Sequence, residues 1–258
     1  MDRLRRILQR VLPRWWWDRI DLETASIRHF VSAAGLRVKS GERVLDAGAG
    51  QSRYRSFFDH AIYTSVDFGT GEKTWDYSGL DVLARLERLP FPGDVFDHVI
   101  CTQVLEHVPE PDVILRELGR VLKPGGYLLL TAPLGFGEHQ IPYDYFRYTR
   151  YGLRYLLEKV GFDVHRIEPR GGYFRYMAVM LMWSYIYLFP ENRRGWIKAV
   201  LFPVQILGAI VMVVAGPPLI QSLDRLDTEK RITLGFAVEC TKRVVSGEPV
   251  SEVDGDAF

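Results

Sequence analysis

The chain has 258 residues, 47% of them apolar, and a formal net charge of +1. That length fits one α/β domain with an elaboration, and the apolar content supplies a sizeable core. A near-neutral balance excludes a global field that draws in nucleic acid, so no nucleic-acid partner is expected. The two cysteines, Cys101 and Cys240, fall in predicted strands and exclude a disulfide framework, which suits a reducing compartment. No metal-binding spacing is present, and no metal is expected.

Residues 1–20 interleave Arg3, Arg5, Arg6, Arg10, Arg14 and Arg19 with Leu4, Ile7, Leu8, Val11 and Leu12, around Trp15-Trp16-Trp17. The apolar positions follow helical spacing and the arginines take the other face. A basic amphipathic helix with tryptophans at its end suits a membrane surface. It equally suits a cap helix packed on the domain with its tryptophans buried. The stretch lacks an apolar h-region and a small-residue cleavage site, so it does not read as a secretory signal. Residues 21–41 predict a helix into the core, and residues 1–40 together read as an N-terminal helical unit.

Arg43 to Leu45 reads as a short buried strand with Asp46 at its end. Gly48 and Gly50 then permit a tight turn and a close backbone approach to a ligand. Ser52 is placed to cap a following helix through Tyr54, Phe57 and Phe58. Strand, glycine turn and helix N-terminus form a nucleotide-binding corner. A second apolar run, 61–66, closes on Asp67, about 20 residues after the first strand, where an acid accepts hydrogen bonds from ribose hydroxyls.

Leu80 to Leu83 predicts a short third strand, and Leu89 to Asp94 a turn. Val95 to Thr102 predicts a strand, Glu110 to Leu122 a helix stopped by Lys123-Pro124-Gly125-Gly126, and Tyr127 to Thr131 a further strand. Phe162 to Ile167 and Ile232 to Cys240 predict the last two strands. Alternating strands and helices argue for a Rossmann-like α/β fold, doubly wound, with a mostly parallel seven-stranded sheet. Ligands then sit at the carboxyl ends of the strands, where Asp46, Asp67, Thr102 and Ala132 converge. The core is placed at residues 41–170, with its last strand within 231–245 and a flexible tail at 246–258.

The runs 44–50 (Val-Leu-Asp-Ala-Gly-Ala-Gly), Val66-Asp67, Leu89-Pro90-Phe91, 96–100 (Phe-Asp-His-Val-Ile), 104–108 (Val-Leu-Glu-His-Val) and 120–126 (Arg-Val-Leu-Lys-Pro-Gly-Gly) resemble class I S-adenosylmethionine-dependent methyltransferases. The resemblance covers about residues 42–169 and is closest to the small-molecule "type 11" branch. It implies that Asp46, Gly48, Ala49 and Gly50 hold the methionine end of S-adenosylmethionine. It further implies that Asp67, with Phe68 beside it, binds the ribose, and that Thr102 and Gln103 flank the cofactor. The acid that this family often places before Leu-Pro-Phe, against the adenine amino group, is Arg85 here; Asp81 and Glu87 are the carboxylates left to replace it. Residues 139–149 (His-Gln-Ile-Pro-Tyr-Asp-Tyr-Phe-Arg-Tyr-Thr) resemble a subgroup associated with cell-envelope polysaccharide or lipid synthesis, which is analogy and not a site.

Methyl transfer from a sulfonium needs alignment above all, and a base only if the acceptor must lose a proton. His139 is the leading base candidate, with Asp144 to orient it or to cap a helix. His107 is a second candidate, or a helix-start histidine bonded to backbone. Glu106 with His107 and His139 is the combination able to hold a metal, set aside because its spacing is unspecific. Tyr143, Tyr145, Arg147 and Tyr148 are expected to wall the acceptor pocket.

An apolar helical insertion at 171–230 holds two uncharged stretches, 176–190 and 199–220. Only the second approaches the roughly 20 residues of a membrane span. The last strand must return to the sheet, so a single crossing is ruled out. Two helices that dip into one leaflet, or that form a lid or dimer interface, fit instead. Arg193, Arg194 and Lys198 lie between them, placed for anionic headgroups. The expected acceptor is small and apolar or lipid-linked, with residues 173–220 and the N-terminal helix touching the cytoplasmic face of a membrane; the alternatives are a soluble small-metabolite methyltransferase and a non-catalytic cofactor-binding or scaffold protein.

Overall fold

The structure is a computed structural model that describes residues 12–71, 75–190 and 195–244, the side chains of 195–199 excepted. Most of the basic N-terminal helix, the tail at 246–258 and the side chains of Arg193, Arg194 and Lys198 lie outside the described residues.

Seven strands form one sheet: β1 (Arg43–Ala47), β2 (Ile62–Asp67), β3 (Val82–Leu83), β4 (Phe96–Thr102), β5 (Leu122–Pro133), β6 (Phe162–Pro169) and β7 (Gly235–Lys242). Their order is β3-β2-β1-β4-β5-β7-β6. All pairs are parallel except those of β7, which runs antiparallel to both β5 and β6. Strand order reverses between β1 and β4, the position where such sheets bind ligands. The helix expected to stop at Lys123 to Gly126 ends at Val121, and those residues also form an irregular start to β5: Phe96 pairs with Leu122 and His98 with Tyr127.

Before β1 come α1 (Arg14–Trp17) and α2 (Leu22–Gly35). One sheet face is covered by α2, whose Ile27, Val31 and Ala34 pack on Val44, Phe58, Ile100 and Leu129. The other is covered by α3 (Pro111–Val121) and α4 (Arg150–Lys159). There Ile114, Leu115, Leu118, Leu153 and Leu157 pack on Leu45, Val99, Leu128 and Leu130. The alternation of β1 is what puts Val44 and Leu45 into different layers.

The helix expected after the first glycine turn does not form. Ser52 has φ 53°, incompatible with the extended backbone of an N-cap. The chain crosses to β2 through a 3-10 turn at Arg55–Phe57. The segment between Gly50 and Ile62 is close to the shortest that can join parallel strands, which leaves little chain for a helix.

Between β6 and β7 the apolar insertion forms a helical hairpin. Its first arm is α5 (Tyr173–Leu188). The second runs from α6 (Gly195–Ala209) through a π-helical stretch (Ile210–Ala215) into α7 (Gly216–Gln221) and a 3-10 turn (Ser222–Leu226). Carboxylates join the two feet: Asp224 accepts from the Gly172 and Arg175 amides, and Asp227 from the Tyr173 amide. The feet sit on Leu22 and Leu234. Because β6 runs parallel to β5, the hairpin rises from the rim at which β1, β2 and β4 end.

Asp46 shares the face of Val44, not that of the rim. It is 1% exposed, accepts a short hydrogen bond from the Tyr63 hydroxyl, and its Oδ1 has no partner. Burial raises its carboxyl pKa to about 7. A folded-state pKa above the unfolded value means that its favourable contribution is complete below about pH 4 and is lost as pH rises through about 7. Asp46→Asn keeps an acceptor for Tyr63 and never ionises. Relative to the parent it should therefore gain about 2 kcal/mol of stability between pH 5 and pH 8, measured by urea unfolding at both values. A constant difference contradicts an ionising Asp46.

Candidate active site

A cavity of ≈ 780 Å³ opens on the rim, within the size range of small-molecule sites. Its floor is the turn after β1, where Gly48 and Gly50 take φ 77° and 53°. The Gly48 and Ala49 amides donate to the Val66 carbonyl at 2.9 and 3.0 Å, fastening the turn to β2. The Asp67 carboxylate completes the attachment: Oδ2 accepts from the Gly50 amide at 2.9 Å and Oδ1 from the Gly69 amide at 2.8 Å. A Cβ on Gly48 would come within 2.3 Å of Val104, and one on Gly50 within 3.0 Å of the Trp75 ring. Side chains at these turn positions would thus crowd the walls they face.

Gly48, Ala49, Gly50, Asp67, Phe68, Thr102 and Gln103 all line the cavity. Asp46 does not; strand alternation turns it toward Tyr63, which corrects the expectation that it grips the methionine end. The adenine side resolves too. Asp81 is drawn under β2 by Ser65 and Arg55. Arg85 stacks over Phe68 at 4.8 Å and pairs with Glu87 at 2.8 Å, and both Arg85 and Glu87 line the cavity. Glu87 is therefore the carboxylate available there.

These residues fit a nucleoside-bearing cofactor. The glycine turn lets backbone approach, and each Asp67 oxygen keeps a lone pair beyond its amide bond for ribose hydroxyls. Tyr54, Trp75, Arg53 and Glu23 also line the cavity, with Arg53 over Trp75 at 5.6 Å. No motif marked them, because they belong to the turn, the loop after β2 and α2 and meet only through the fold.

The opposite end is built by the 3-10 turn Leu105–His107 and by the loop after β5. The Tyr145 amide donates to the Glu106 carbonyl at 2.7 Å, so the loop returns to the β4 exit. Asp144 holds that loop. It accepts the Arg147 fork at 2.7 and 2.8 Å and the His139 amide at 2.9 Å. The Arg147 guanidinium keeps the Asp144 carboxyl well below the usual range. Asp144 therefore places His139 chiefly through its backbone. Arg147 also donates to the Phe136 and Gly137 carbonyls.

His107, His139, Tyr143 and Tyr145 face the cavity. Arg147 and Tyr148, expected as pocket walls, do not. Arg147 braces the loop, and Tyr148 is buried with its hydroxyl on the Leu105 carbonyl. His107 Nδ1 lies 2.6 Å from the Tyr143 carbonyl, and burial lowers the pKa of this histidine, favouring the neutral ring. Glu106 is fully buried, its pKa raised to about 8 by desolvation. Although no metal was expected, ligand atoms of Glu106, His107 and His139 lie within 4.8 Å of one another.

The hairpin supplies the remaining wall. Trp183 of α5 lines the cavity and meets Phe136 edge-on at 5.2 Å. Gly135 and Gly137 lie directly against the Tyr176 and Trp183 rings. The apolar periodicity of α5 carried no signal of this role.

Residues 45–130 match the family model described as a methyltransferase domain. A fatty-acid O-methyltransferase of Mycolicibacterium smegmatis is 34% identical over 121 residues, 43% of this chain and 44% of that protein. The ubiquinone/menaquinone biosynthesis C-methyltransferase of Vibrio vulnificus is 34% identical over 118 residues, 40% of this chain and 45% of that one. The chain thus spans less than half the length of these relatives. Among solved structures the cyclase SpnF superposes with a TM-score of 0.54 at 21% identity, covering 85% of this chain and 82% of the other. That likeness shows the fold alone, and a cyclase within it underlines that the fold does not fix the reaction. Motif order, strand order and the family match agree on one placement: residues 45–130 are a methyltransferase domain, set in a sheet of the class I S-adenosylmethionine-dependent methyltransferase type.

Proposed function

We propose that this chain transfers a methyl group from S-adenosylmethionine to a small, apolar or lipid-linked acceptor at the cytoplasmic face of a membrane. The observation that carries the reading is that one cavity is shared by the glycine turn and Asp67, by two histidines, and by Trp183 of the apolar hairpin. The bound cofactor supplies an already activated methyl group. Gly48, Gly50, Asp67 and Gln103 would hold it, and the opposite wall would align the acceptor, an effect worth up to roughly 7–11 kcal/mol. A hydroxyl acceptor must lose a proton, and His107, which burial keeps neutral, and His139 stand at that end.

The apolar character of the acceptor is supported by the hairpin. Val200–Leu226 is long and apolar enough to cross a membrane, yet only 11% of its apolar window is buried inside the protein. Val200, Phe202, Leu207 and Val211 all face outward. Both feet of the hairpin stand on the cofactor rim, so immersion in one leaflet keeps the sheet on one side and brings the pocket to the lipid surface. Relatives named for a fatty acid and for ubiquinone/menaquinone biosynthesis are in keeping with such an acceptor. The free, buried Cys101 and Cys240 suit the cytoplasmic side.

Three measurements test this. The full chain in detergent, given methyl-labelled S-adenosylmethionine and a membrane lipid extract, should move label into the organic phase. Label that goes only to water-soluble metabolites favours a soluble small-molecule enzyme instead. Asp67→Ala should weaken S-adenosylmethionine binding by about 1–3 kcal/mol, since it strands polar partners, whereas an unchanged dissociation constant removes Asp67 from the site. The full chain should float with vesicles of phosphatidylglycerol and phosphatidylcholine. Replacing Phe202 and Leu207 with Glu should reduce flotation at least about tenfold, with cofactor affinity retained. Equal flotation of both proteins contradicts the hairpin as the membrane contact.

A further inference from the structure

We propose that Glu106, His107 and His139 bind one divalent first-row transition-metal ion at the acceptor end of the cavity. Three observations converge on this cluster. The first is the lone pairs. His107 Nδ1 lies 2.6 Å from the Tyr143 carbonyl and His139 Nδ1 lies 3.1 Å from the Gly137 carbonyl. A carbonyl only accepts, so each ring carries a proton on Nδ1, and in the neutral ring Nε2 is left as the acceptor. Metal-binding imidazoles are held in this way, by a backbone carbonyl on the far nitrogen.

The second is Glu106. Its side chain is fully buried, and neither carboxylate oxygen has a hydrogen-bond partner. His107 Nε2 is also buried and unpartnered, 3.9 Å from Glu106 Oε1. Acceptors that face one another in a desolvated site are costly. One shared proton would satisfy a single pair, whereas a cation satisfies all three ligand atoms at once. Neither nearby arginine fills this role: Arg147 is paired with Asp144 at 2.7 Å, and Arg170 acts on Glu106 through its charge without donating a hydrogen bond to either carboxylate oxygen.

The third is placement. The ligand atoms lie within 4.8 Å of one another, close enough to converge on one ion with small side-chain shifts. Two imidazoles and one carboxylate form a donor set for zinc, iron or cobalt rather than for magnesium or calcium. His107 and His139 line the cavity, so an ion held by them would lie at the wall where an acceptor would sit. An acceptor oxygen on the ion would be acidified and would release its proton to solvent. That use rests on the methyl-transfer reading; the binding of the ion does not.

The test is therefore made on binding. The full chain, stripped with a chelator and dialysed, is titrated with zinc by calorimetry and with cobalt by visible absorption. We expect one equivalent of zinc, visible d–d bands with cobalt, and a higher melting temperature on addition of zinc. His139→Ala and Glu106→Gln should each weaken zinc binding at least about tenfold, while His165→Ala, remote from the cluster, leaves it unchanged. An unmutated chain that gives neither heat nor a cobalt spectrum overturns the site without reliance on any variant. Equal zinc affinity in folded His107→Ala and His139→Ala proteins overturns it as well. Neither result depends on methyl transfer.

Discussion

The Asp67 carboxylate, held between the amides of Gly50 and Gly69, is the contact on which the site depends. A charge-assisted bond from each oxygen ties the turn after β1 to the end of β2. Two further amides, of Gly48 and Ala49, reach the Val66 carbonyl. The glycine turn is therefore pinned to its neighbouring strand before any ligand arrives, and a ribose would meet an acceptor that is already oriented. Such preorganisation limits the ordering cost of binding.

The other half of the rim is arranged around a second pinned loop. Asp144 and Arg147 hold the chain after β5, and the Glu106 carbonyl receives it at Tyr145. That return brings His139 onto His107, with ring centroids 4.6 Å apart. The hairpin closes the remaining side through Trp183 and Phe136. Its feet are joined by Asp224 and Asp227, so the outward apolar surface and the pocket wall belong to the same hairpin. An acceptor that arrives along the hairpin would meet the two histidines on the side away from the glycine turn.

Much of this could be read from residue order. Strand exits are marked by apolar runs that end on Asp67 or Thr102, and parallel sheets gather those exits on one rim, so the cofactor side was readable from spacing. Asp46 was misplaced because one step along a strand reverses the face, and proximity to a rim does not say which way a side chain turns. Ser52 looked like a cap, but φ 53° and a short crossover favoured a 3-10 turn. Tyr148 and Arg147 lie in an aromatic, charged run whose local pattern is the same for a wall and for a brace; only the Leu105 and Phe136 carbonyls decide between them. Trp183 and the convergence of Glu106 with His139 depend on long-range closure, which no local window records.

The role of this rim depends on where a nucleoside sits. A crystal structure of the full chain with S-adenosylhomocysteine tests this most directly. It should show the ribose hydroxyls bonded to Asp67, the sulfur directed toward His107 and His139, and Asp46 still on Tyr63. A nucleoside bound elsewhere, with the space beside Gly48 and Gly50 closed by side chains, would contradict it.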